Sequence, residues 1–80
     1  MVEEWIMNWF EKNGSVQREK CILNENYLEQ GYIDSFGFIA LIGECEENFS
    51  ISFSDDDFSN ERMFTIQGLI ECIQNRIETM

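Results

Sequence analysis

Three stretches of this chain repeat their apolar residues every three or four positions, and no proline interrupts any of them. Val2, Trp5, Ile6, Trp9 and Phe10 follow the i, i+3, i+4, i+7, i+8 spacing of one helix face. Phe38, Leu41, Ile42, Cys45 and Phe49 fall on a second narrow arc, and Ile66, Leu69, Ile70, Ile73 and Ile77 on a third. That period turns one side of a helix toward a core, whereas a strand repeats every second residue. Asn13-Gly14 supplies a C-terminal cap for the first helix, and Thr65 an N-terminal cap for the last. "NFSIS" has the look of a strand, but the following "SDDDFSNER" offers a serine cap and three acids in a first turn, which suits a short helix near Asp55 to Asn60. The expected fold is all-α: a small four-helix bundle of three main helices and one short one, in a single domain over residues 1–80.

From Ser15 to Gly31 the pattern is broken and polar, with Asn24, Asn26 and Gly31 as turn residues. The spacing predicts a long connector there, with Ile22, Leu23, Tyr27 and Leu28 tucked inward.

Charge narrows the partners. Sixteen acids against five basic residues give a net charge of −11, while a 44% hydrophobic fraction keeps the chain among folded proteins. Between Lys20 and Arg62 there is no Lys or Arg, but ten acids: Glu25, Glu29, Asp34, Glu44, Glu46, Glu47, Asp55, Asp56, Asp57 and Glu61. Nucleic-acid backbones and anionic membranes reward the opposite sign, so the expected partners are basic proteins. Cys21, Cys45 and Cys72 are odd in number and widely spaced, which suggests neither a disulfide framework nor a zinc site but reduced, partly buried thiols. "MVEEWIMNWF" lacks a secretory signal's basic start, and no run approaches the roughly 20 apolar residues of a membrane span. A soluble, cytoplasmic protein is expected.

The second helix has two faces. Asp34 and Ser35 stand at its N-cap position, and the run reaches about Asn48. Opposite the core arc lie Phe36, Ile39, Ala40 and Gly43, with Glu47 among them and Glu46 alongside. The strip is either covered by the connector or forms a docking face with an apolar centre and an acidic rim. Ser35 is singular for another reason: a catalytic serine needs a positioned base, and the chain contains no histidine.

"GYIDSFGF", an amphipathic helix ending in "EENF", an acidic short helix and a last helix opened by Thr65-Ile66 together resemble the acyl carrier proteins, from about Asn26 to Ile77. Within that family the chain is most similar to the discrete, single-domain carriers, a group that includes the D-alanyl carrier proteins. The resemblance carries "GYIDSFGF" and the spacing from Phe58 to Thr65 in "DFSNERMFT". It implies that Ser35 is the attachment point of phosphopantetheine, transferred from coenzyme A by a separate, magnesium-dependent transferase. It also implies that Asp34 is needed by that transferase complex. The arm's thiol would hold an acyl or aminoacyl group as a thioester and present it to partner enzymes: a loading ligase, then acyltransferases or synthases with basic docking surfaces. A monomeric, non-enzymatic handle of this kind needs no base of its own, which accounts for a special serine without a histidine. Many fatty-acid carriers have Leu after the serine, Glu where Ala40 stands and Met where Gly43 stands, so the smaller, less charged face here favours a dedicated pathway.

Other classes fit less well. An acidic adaptor or nucleic-acid mimic would need carboxylates but no privileged serine. A calcium loop would need alternating acids, whereas Asp55, Asp56 and Asp57 are adjacent and no Gly or twelfth-position Glu follows. A serine hydrolase would need a base and a nucleophile-elbow motif.

Overall fold

The computed structural model describes residues 2–14 and 23–78; the expectations for Ser15, Cys21 and Ile22 lie outside them. Among the described residues are four α-helices and no strand, as the apolar periods require. Helix α1, Val2–Asn13, buries Val2, Ile6, Met7, Trp9 and Phe10, and its Trp5 ring meets Phe49 edge-on at 5.3 Å. Glu3 and Glu4 in its first turn and Lys12 in its last oppose the helix dipole. The Gly14 N–H reaches the Phe10 carbonyl at 2.9 Å. A Cβ at Gly14 would lie 2.9 Å from the Tyr32 carbonyl oxygen, so close approach is what demands glycine here.

Helix α2, Ser35–Phe49, ends at Ser50, whose backbone is left-handed (φ 55°) and whose N–H returns to the Glu46 carbonyl. Helix α3, Asp55–Phe58, is opened by a capping box in which the Ser54 hydroxyl accepts from the Asp57 N–H and the Asp57 carboxylate accepts from the Ser54 N–H. Arg76 also pairs with that carboxylate. Partial burial alone would raise the Asp57 carboxyl, but the Ser54 N–H and the Arg76 guanidinium outweigh it and hold the group below its ordinary range. A 3₁₀ turn over Glu61–Phe64, absent from the sequence expectation, then leads to helix α4, Ile66–Glu78. The Thr65 hydroxyl caps α4 by accepting from the Gly68 N–H at 2.9 Å. Ile66, Leu69, Ile70 and Ile73 are buried as the period predicts, whereas Ile77 is exposed because α4 outruns the core at its last turn.

Tyr27 joins the connector to the far side of the bundle. It is fully buried, and its hydroxyl donates to the Met63 carbonyl at 2.7 Å. Beside it, the Tyr27 N–H reaches the Phe64 carbonyl at 3.0 Å and the Gln67 N–H reaches the Leu23 carbonyl at 2.9 Å. The connector's second half is thereby stitched to the start of α4, while Leu23 and Leu28 are only partly buried. Tyr27→Phe keeps the ring but leaves a buried carbonyl without its donor, an expected loss of about 1–3 kcal/mol. Thermal melting checks it, and an unchanged melting temperature would mean that the hydroxyl bond adds nothing in solution.

Candidate functional site

Asp34 and Ser35 divide the work at the start of α2. Asp34 is the N-cap, extended in backbone, and its carboxylate accepts from the Gly37 N–H at 2.7 Å. Ser35 is therefore the first helical residue rather than the cap. It is exposed, and no described side chain or backbone group binds its hydroxyl. The first N–H groups of a helix have no intrahelical partner and stand at the positive end of its dipole. A hydroxyl at this point is accessible, uncommitted and next to a surface that favours negative charge. The segment entering the helix is held by Gly31, whose φ of +76° suits a residue without Cβ, and by Ile33, which is buried.

Along α2, Leu41 and Cys45 are buried, and Phe38, Ile42 and Phe49 pack partly against the core, as the arc predicts. The opposite strip is uncovered: Phe36 is 83% exposed and Ile39 68%, and Ala40, Gly43 and Glu47 are exposed beside them. The described part of the connector, residues 23–31, thus leaves these side chains uncovered. A Cβ at Gly43 would meet nothing within 4 Å, so nothing within the fold requires a glycine there, and it leaves that part of the strip flat.

Glu46 departs from its expected place on the acidic rim. It is half-buried, and its carboxylate accepts from the Phe53 N–H at 2.9 Å, tying α2 to the segment that precedes α3. Helical rotation explains this: Glu46 shares a side of α2 with Ser35 and Ile42, turned toward residues 51–58 rather than outward. Of the two rim acids, only Glu47 belongs to the open surface.

Glu44, by contrast, was hidden from sequence reasoning. Its carboxylate accepts from the Trp9 indole N–H at 3.2 Å, and it lines a groove of about 410 Å³ between α1 and α2 that reaches Asp34, Gly37 and Ala40. Thirty-five positions separate Trp9 from Glu44, so no local spacing announces the pair. The Cys45 thiol, by burial first and then the charges of Glu44 and Glu46, is pushed up to about 12, and burial also raises Cys72. Both are free thiols of low reactivity. Among the described residues, no three acidic or cysteine side chains gather as a metal-ligand set, and no helix is long and apolar enough to cross a membrane.

Over 75 residues the chain is 33% identical to the acyl carrier protein of Buchnera aphidicola subsp. Schizaphis graminum (strain Sg), which covers 94% of this chain and 92% of the relative. It is 29% identical, over 75 residues again, to the acyl carrier protein of Buchnera aphidicola subsp. Acyrthosiphon pisum (strain 5A), covering 94% of this chain and 91% of that one. No family model matches the chain, and no solved structure matches it.

Proposed function

Since the chain belongs to the acyl carrier proteins, we propose that Ser35 bears a phosphopantetheine arm and that the polypeptide is the handle by which enzymes reach the arm's cargo. The single observation that carries this is the exposed Ser35 hydroxyl at the start of α2, left uncommitted because Asp34 does the capping. These residues suit the group: a phosphodiester at Ser35 would lie beside unpartnered helical N–H groups and the positive end of the dipole. When bound, the arm supplies a thiol that holds an acyl or aminoacyl group as a thioester. Everything else asked of this chain is positioning. Asp34 fixes the first turn and so the direction in which Ser35 is offered, and proton removal from the hydroxyl falls to the transferase, as the chain has no histidine.

In this reading the chain is a monomeric, cytoplasmic, discrete carrier without enzymatic activity, and it binds neither nucleic acid nor membrane. Its partners are a phosphopantetheinyl transferase, a loading ligase and the acyltransferases or synthases that take the cargo onward. They dock on Phe36, Ile39, Ala40 and Gly43, with Glu47 as the exposed acid of the rim and Glu46 holding the helix from behind. The test is incubation with coenzyme A, magnesium and a broad-specificity transferase, followed by peptide mapping. The adduct is expected on Ser35. A label on Ser15, Ser50, Ser52, Ser54 or Ser59 would overturn the assignment, and no label at all would favour an acidic adaptor without a prosthetic group.

The docking face yields a second expectation. Glu47→Gln removes long-range attraction, so it should mainly slow association with the transferase and flatten its salt dependence, with a loss of about 0–1 kcal/mol. Phe36→Ala removes an anchor instead and should mainly speed dissociation, by about 1–3 kcal/mol. Stopped-flow kinetics separates the two. If Phe36→Ala leaves dissociation untouched, the docking face lies elsewhere.

A further inference from the structure

We infer that the interior on the Ser35 side of α2 is closed by aromatic rings, so that the cargo is a short acyl group held outside the fold rather than a long alkyl chain drawn into it. The inference rests on the carrier reading above. Ser35, Ile42 and Glu46 share one side of α2; Ser35 is exposed at its start, and at the C-terminal half the Glu46 bond to the Phe53 N–H ties that side to the segment before α3. Phe38, one turn beyond Ser35, packs partly against the core.

Phe38 belongs to a continuous stack. Its ring centroid lies 6.1 Å from Phe58 in an edge-on contact, 5.5 Å from Phe64 and 6.1 Å from Tyr27. Phe53 continues the stack, 6.0 Å from Phe58, and on the other flank Tyr27 lies 5.1 Å from Phe10. Phe38, Phe53, Phe58 and Phe64 are half-buried and Tyr27 and Phe10 fully buried, so rings at these spacings, held at definite tilts to one another, line the space between α2 and α3 with flat, stiff groups. An aliphatic lining parts for a methylene chain by changing rotamers. Here an entering chain must displace whole rings, one of which is tied down through the Tyr27 hydroxyl at Met63. A short acyl group on the arm exposes little apolar surface and needs no such shelter.

The experiment loads the carrier from acetyl-, butyryl- and octanoyl-coenzyme A with a broad-specificity transferase, verifies each product by intact mass and compares melting temperatures with the unacylated arm-bearing form. Each methylene taken from water into the core would raise the melting temperature by roughly 3–6 °C. The expected result is no rise with chain length. Phe58→Ala, or Phe53→Ala if the first does not fold, opens a slot, and its octanoyl form is then expected to melt above its own unacylated form. A steady rise from acetyl to octanoyl in the unmutated protein would overturn the inference while leaving the carrier reading intact. So would an octanoyl group that fails to stabilise the opened variant. No adduct in any case would remove the carrier reading and this inference together.

Discussion

Gly68→Ala should remove a large share of this protein's stability. A Cβ at Gly68, a buried position in the first turn of α4, would lie 1.8 Å from the Arg62 carbonyl oxygen and 2.6 Å from its carbon. Both are backbone atoms of the 3₁₀ turn, so no side-chain rotation relieves the clash. The turn itself has little room to retreat: the Thr65 hydroxyl donates to that same Arg62 oxygen at 3.1 Å, and the Tyr27 hydroxyl holds the neighbouring Met63 carbonyl. Relief must come from moving α4 off the turn, which breaks the Thr65 cap and the Gln67–Leu23 bond together. Overpacking of a well-filled site typically costs about 1–3 kcal/mol and can cost more. The upper end is expected here, against a total stability of roughly 4–12 kcal/mol for a domain of this length. Circular dichroism melts of the variant check it. A fall of less than a few degrees would mean that α4 and the turn are farther apart in solution.

The helices were legible because each depends on local signals. The apolar stripe places α1, α2 and α4, Ser54 with Asp57 closes a box around α3, and Asp34 and Thr65 sit where short polar side chains can take up first-turn N–H groups. The location of Ser35 at the start of α2 follows from the same signals. What escaped depends on residues distant in sequence. The 3₁₀ turn at Glu61–Phe64 is built on an Asn60 cap and held from outside by Tyr27, 36 positions from its partner Met63. Glu46 reads as a surface acid until the segment before α3 folds back to it. The need for glycine at Gly68 arises only because the turn packs on α4, a contact that no propensity encodes. The outward strip on α2 could be located from helical rotation, but whether the connector covered Phe36 and Ile39 was a tertiary question.

The other large effect is all-or-none, and it bears on the central claim. Ser35→Ala removes a single hydroxyl from an exposed position whose cap belongs to Asp34, so the variant should fold like the unmutated protein. Alanine is also well suited to a first helical turn, which leaves no structural reason for a loss of function. With the fold intact, only the chemistry of the hydroxyl distinguishes the two proteins. The deciding measurement is intact mass after incubation of both with coenzyme A, magnesium and the transferase, on samples shown by circular dichroism to be equally helical. The account predicts one phosphopantetheine on the unmutated protein and none on Ser35→Ala. Equal modification of both proteins would contradict it.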